Sequence, residues 1–157
     1  MANTYTQIYM HIVFAVSHRD ALIADEWADD LYAYLAGACR NRKHFVHAIG
    51  GTADHVHILV GMNPTESVSS LVKELKGQSS HWINETYLHG SFAWQSGYAA
   101  FSYSISLVPT VKQYIANQHE HHRHKTFREE VETFFRKAGI EYNPAYMMQG
   151  FVPADEP

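Results

Sequence analysis

Hydrophobic residues recur along this chain with two different periods, and the order of those periods limits the fold more than any other feature. Residues 7–16, QIYMHIVFAV, alternate β-branched and aromatic side chains and predict a strand. In residues 24–40, ADEWADDLYAYLAGACR, the positions Trp27, Leu31, Tyr34, Leu35 and Ala38 fall at helical spacing. HFVHAIGG at 44–51 predicts a second strand closed by a glycine pair, and HVHILVG at 55–61 a third. The segment 65–85 carries Val68, Leu71, Val72, Leu75 and Trp82 on one helical stripe. GYAAFSYSIS at 97–106 alternates small and aromatic residues, as a fourth strand would. PTVKQYIANQHEHH at 109–122 predicts a helix with its proline in the first turn, where the missing N–H costs nothing. TFREEVETFFRKAG at 126–139 opens with Thr126 and Glu129 as a capping box and stops at Gly139.

The order β-α-β-β-α-β, followed by two helices, is the split arrangement of a ferredoxin-like (RRM-like) α+β domain. Four strands then form one antiparallel sheet with two helices on one face. The other face is left for a ligand or a further helix. No repeat, low-complexity tract or linker divides the chain, so residues 1–157 are expected to form a single domain.

Composition narrows the function. At 46% hydrophobic and 18% charged, the chain suits an ordinary globular core. No apolar run is long enough to predict a membrane span, and MANTYTQIYM has no basic start followed by an apolar run, so no signal peptide is expected. The single cysteine, Cys39, cannot pair internally and fits a reducing cytoplasm. A formal charge of -4 argues against non-specific coating of nucleic acid. Local binding stays open through the basic residues of RNRKH, Lys73, Lys76 and HEHHRHKTFR.

Two residues in the third predicted strand do not suit an apolar strand. His55 and His57 are two apart, so they share a face, with Cα atoms roughly 6.6 Å apart. Val56, Ile58 and Val60 point the other way, toward the helix-covered core, which assigns the histidines to the open face. Such a pair reads either as solvent-facing strand histidines or as two ligands of one metal ion. Tyr114 and Gln118, four apart in the predicted helix, share a helical face. An amide oxygen can complete a site for a hard cation, and a tyrosine beside it is a potential nucleophile. By themselves the two read more readily as a core tyrosine and a solvated glutamine. Trp82, Trp94 and Tyr98 are open to the same two readings, as base-stacking groups or as core.

Taken together, these segments resemble the IS200/IS605 family of single-tyrosine (Y1) transposases, within the HUH nucleases named for His-hydrophobic-His. MHIVFAVSHRD resembles the family's first strand and its basic end, GGTADHVHILV its metal strand, and LVKELKGQSSHWIN its second helix. FAWQSGYAAFSYS resembles the last strand, and VKQYIANQHEHHRHKTFREE the tyrosine helix and the segment after it. The resemblance spans about residues 5–145. It implies a metal-dependent enzyme that cleaves and rejoins single-stranded DNA at hairpin-marked element ends through a 5′-phosphotyrosine. Residue by residue it implies Tyr114 as nucleophile and His55, His57 and Gln118 as ligands of Mg²⁺ or Mn²⁺. Asp54 is an outer partner to the ligands, and Arg19, Lys76, Arg123 and Lys125 are candidate DNA contacts. A homodimer is implied too, with the tyrosine helix of one chain completing the other's site, and a prokaryotic cytoplasm as the setting. The segment SYSISLVPTV lacks the glycine that members often carry before the tyrosine helix. Two alternatives stand beside this reading: a domesticated relative that processes dispersed hairpin repeats, and a non-catalytic ferredoxin-like module that binds RNA or single-stranded DNA.

Overall fold

The computed structural model describes residues 3–118 and 127–141. The elements in chain order are β1 (Tyr9–Ala15), α1 (Asp25–Asn41), β2 (Phe45–Thr52), β3 (His55–Gly61), α2 (Val68–Ile83), β4 (Ala99–Tyr103), α3 (Val108–Ala116) and α4 (Phe127–Ala138). The strands form one antiparallel sheet in the order β2-β3-β1-β4, the ferredoxin-like arrangement expected from the two periods. The fourth strand is shorter than its alternation suggested. After Tyr103 the chain tightens into a 3₁₀ turn, Ile105–Leu107, which leads directly into α3.

Local chemistry explains the helix ends. Asp25 and Glu26 sit in the first turn of α1 and Arg40 in its last, each matched to the sign of the helix dipole there. Ser67 caps α2, its hydroxyl oxygen accepting from the Ser70 N–H at 3.1 Å. Pro109 occupies the first turn of α3. Gly139, with φ of 69°, ends α4 in the left-handed conformation that glycine adopts without strain. Thr126 of the expected capping box lies outside the described residues.

One face of the sheet carries the main core. Ile12 and Phe14 of β1 and Val56, Ile58 and Val60 of β3 pack with Leu31 and Leu35 of α1 and Leu71 and Leu75 of α2, all fully buried. Each such side chain stabilises the fold by about 1.5–3 kcal/mol through burial. The loop before α2 is tied to the end of α1 through Glu66. Its carboxylate accepts from the Arg42 guanidinium, from the Ser70 hydroxyl at 3.0 Å and from His44 Nε2 at 2.7 Å. The Arg42 hydrogen bond, with those of His44 and Ser70, lowers the Glu66 carboxyl to about 2 against some opposition from burial.

The second face is covered as well. Leu59 of β3 packs with Val108, Val111 and Ile115 of α3, and Phe101 of β4 stacks on Phe134 of α4 with ring centroids 5.1 Å apart. Gly50 of β2 sets how close α3 can lie. A Cβ at Gly50 would stand 2.7 Å from the Ile115 carbonyl oxygen, closer than real Cβ contacts come. Gly50 pairs across the sheet with His57, so this close approach brings α3 down beside the histidine strand.

Candidate metal and tyrosine site

The second face holds a buried polar cluster. His55 and His57 share that face as their spacing requires, but neither is solvent-facing: both are 0% exposed. The expectation of exposed strand histidines fails because α3 and α4 roof this side of the sheet. Gln118, just past the C-terminal cap of α3, is 1% exposed and its Oε1 lies 3.1 Å from His55 Nε2. Its amide nitrogen donates to Glu130 Oε1 of α4 at 3.1 Å. Glu130 Oε1 is in turn 3.3 Å from His57 Nε2, and Glu130 Oε2 is 3.7 Å from His55 Nε2. Ligand atoms of His55, His57 and Glu130 all lie within 4.8 Å of one another.

The outer hydrogen bonds orient these groups. Asp54 Oδ1 lies 2.6 Å from His55 Nδ1 and accepts its proton, while Thr52 Oγ1 donates to the same carboxylate oxygen at 3.1 Å. With the proton held on Nδ1, a neutral His55 presents its Nε2 lone pair to Gln118 Oε1 and Glu130. Lone pairs facing one another at such distances repel unless positive charge lies among them. Burial pushes the Glu130 carboxyl up to about 7, with the Asp54 charge adding to the rise and His55 opposing it. A set of two imidazole nitrogens, an amide oxygen and a carboxylate oxygen fits a divalent cation of the Mg²⁺ and Mn²⁺ class, the nitrogens tilting the preference toward Mn²⁺.

Tyr114 stands beside this cluster on α3. It is half-buried, its ring centroid 5.8 Å from that of His57 and 5.4 Å from that of Phe134. Tyr114 and Glu130 line a common cavity of about 370 Å³ with Phe101, Tyr103 and Phe134. The described part of one chain thus gathers Tyr114, Gln118, His55, His57 and Asp54, five residues singled out in the sequence.

The family model for IS200-like transposases matches residues 4–118, a span that holds all four strands, both histidines, Tyr114 and Gln118. This chain belongs to the IS200-like transposase family. Among relatives of this transposase, the ISDra2 transposase TnpA of Deinococcus radiodurans is 27% identical over 120 residues, covering 73% of this chain and 86% of that protein. The transposase for insertion sequence element IS200 of Salmonella typhimurium is 31% identical over 87 residues, covering 55% of this chain and 57% of that one. In structure, the transposase is similar to a transposase candidate of D. radiodurans R1, with TM-score 0.60 and 26% identity over 75% of this chain and 96% of the other. It shares its fold with a REP-associated tyrosine transposase bound to a REP hairpin, with TM-score 0.59 and 15% identity over 78% and 73% of the two chains.

Two residues of the transposase's cluster are not evident from the sequence pattern. Glu130 resembles part of a solvated helix start, although it lies four residues before Phe134, whose partly buried ring faces the same side of the helix. His11, in the middle of an apolar strand, carries the same signal as His55 and His57. It is 0% exposed, and its Nε2 lies 2.7 Å from His57 Nδ1.

The expected DNA contacts fare differently. Lys76 lies on α2, on the core side of the sheet, where its ammonium donates to the Gln95 carbonyl at 2.7 Å and to the Gly97 carbonyl. Burial lowers Lys76 to about 8. Arg19 belongs to the 3₁₀ turn Ser17–Arg19, but its side chain lies outside the described residues, as do Arg123 and Lys125 entirely. Trp82 stacks on Tyr34 at 4.7 Å and Trp94 donates from Nε1 to Ser79 Oγ at 2.9 Å, so both tryptophans serve packing on the helical side. Among the described residues, no helix is long and apolar enough to cross a membrane.

Proposed function

We propose that this transposase cleaves and rejoins single-stranded DNA at hairpin-marked element ends, using Tyr114 as the nucleophile and a divalent cation held by His55, His57 and Gln118, with Glu130 as a further carboxylate ligand. The observation that carries this reading is the convergence of Gln118 Oε1, Glu130 and the two histidine Nε2 atoms in one buried cluster beside Tyr114. Family membership supports the DNA-processing activity, and the REP hairpin held by the structural neighbour supports a hairpin substrate.

When bound, the cation would polarise the scissile phosphate and ease departure of the 3′-oxygen. The chain's own residues do the rest. Asp54 fixes the His55 ring so that Nε2 faces inward. Gly50 lets α3 lie close enough to bring Gln118 to His55. Tyr114 attacks phosphorus in line and loses its phenolic proton as it does so, since a free phenol has a pKa of about 10. The new bond joins Tyr114 Oη to the 5′-phosphate, and the broken bond releases a 3′-hydroxyl. The energy of the phosphodiester is kept in the phosphotyrosine, so rejoining reverses the step without a nucleotide cofactor.

The same reading places the enzyme in a prokaryotic cytoplasm as one domain that works as a homodimer. Within one chain Tyr114 and Gln118 lie beside the chain's own histidines, whereas the resemblance implies a tyrosine helix that completes the partner's site. Mixing His57→Ala and Tyr114→Phe chains decides it: a cis site predicts no rescue of activity in verified heterodimers, and rescue would mean that the tyrosine helix acts on the partner. The test of the function is incubation of the full chain with labelled single-stranded hairpin DNA and Mn²⁺. A covalent protein-DNA adduct is expected. Binding without any adduct would instead favour a non-catalytic binding module.

A further inference from the structure

His55 and His57 have different outer partners, and the difference is informative. The carboxylate of Asp54 orients His55. The partner of His57 Nδ1 is His11 Nε2 at 2.7 Å, and the two rings lie 5.0 Å apart at an angle of 28°. One atom of this pair carries a proton and the other a lone pair. On its far side, His57 turns Nε2 toward Glu130 Oε1 at 3.3 Å, within the cluster that suits a cation. To offer a lone pair there, a neutral His57 must carry its proton on Nδ1, and His11 Nε2 stands in position to accept it.

We propose that His11 is a positioning residue of the metal site, which accepts the Nδ1 proton of His57 and so holds that ring in the tautomer and orientation that presents Nε2 to the cation. This rests on the proposed cation site of His55, His57 and Gln118. His11 is 0% exposed, and its Nδ1 meets no hydrogen-bonding partner among the described residues. A buried polar atom without a partner costs about 1–3 kcal/mol, a poor choice for a residue that serves packing alone. Its ring is enclosed by Phe134 at 5.2 Å and by Phe101 and Tyr103 at 6.1 Å each. A carboxylate in this dry setting would add a second buried charge next to Glu130; a neutral imidazole accepts the same proton without one.

The test uses the full chain and Mn²⁺ as probe, with binding followed by the loss of the free Mn²⁺ electron-spin signal. His11→Leu keeps the approximate bulk and removes the acceptor; His11→Asn keeps an acceptor oxygen. Loss of an outer partner of a ligating histidine usually costs about 10- to 100-fold in metal affinity, so that loss is expected for His11→Leu, with substantial recovery in His11→Asn. Thermal unfolding of the metal-free variants separates this from misfolding: His11→Leu removes the unpartnered His11 Nδ1 but strands His57 Nδ1, so the two effects offset and the variant should still unfold cooperatively close to the native chain. Ring-nitrogen NMR of the Mg²⁺-loaded native chain should show the His57 proton on Nδ1. If His11→Leu folds and binds Mn²⁺ as tightly as the native chain, or if loaded His57 carries its proton on Nε2, the inference is wrong while the cation reading stands. If the native chain binds no Mn²⁺, or binds it equally well as His57→Ala, both fall.

Discussion

A fully buried histidine cannot be removed as freely as a surface one. His57→Ala takes away the hydrogen bond to His11 Nε2 at 2.7 Å and opens space beneath α4. Stranding the His11 nitrogen should cost about 1–3 kcal/mol, so His57→Ala should unfold at lower urea concentration than the native chain as well as lose Mn²⁺ binding. Equal urea midpoints would show that the histidine is solvated in solution. Tyr114→Phe is the contrasting case. It removes one oxygen from a half-buried ring and almost no volume, so its stability should lie within about 1 kcal/mol of native while strand cleavage disappears. Residue spacing makes His55, His57, Tyr114 and Gln118 legible, because periods of two and of four place side chains on shared faces. Their burial is not legible. It depends on which elements close over the face, and no local pattern states that. Glu130 shows the same limit: an acid in a charged helix looks solvated until the helix is docked.

At the scale of elements, the site depends on how α3 and α4 sit on the sheet. Gly50 is the contact that sets α3, since Ile115 would collide with any Cβ there. Gly50→Ala should push α3 outward, cost about 1–3 kcal/mol in urea unfolding through overpacking, and weaken Mn²⁺ binding by moving Gln118 from His55. Retained stability and affinity would mean that α3 does not rest on this strand. In sequence the glycine pair marks only the end of a strand; its role in helix approach requires the topology that places β2 under α3. α4 contributes Glu130 and Phe134 to the same roof. Glu130→Gln keeps a hydrogen-bonding oxygen but removes the carboxylate, so it should lower Mn²⁺ affinity measurably, and unchanged affinity would exclude Glu130 as a ligand.

For the whole molecule, the alternation of periods is enough to give the strand order, because β-α-β-β-α-β leaves few ways to close one antiparallel sheet. The tie through Glu66 adds a pH term to that fold. Its carboxyl is lowered to about 2 in the folded chain from an ordinary 4.5, so between these values the unfolded state binds more protons. Its stabilising contribution is therefore complete above about pH 4.5 and is lost as pH falls toward 2. Urea unfolding at pH 5 and pH 3 should show a larger loss for the native chain than for Glu66→Gln, and parallel losses would contradict this. The proposed function of the whole turns on one bond. Trapping the full transposase on end-labelled single-stranded hairpin DNA with Mn²⁺, followed by protease digestion and mass spectrometry, locates that bond. The account predicts a nucleotide 5′-phosphate on the peptide carrying Tyr114 and no adduct in Tyr114→Phe. A nucleotide on Tyr103, Tyr98 or any other residue, or an undiminished adduct in Tyr114→Phe, would contradict it.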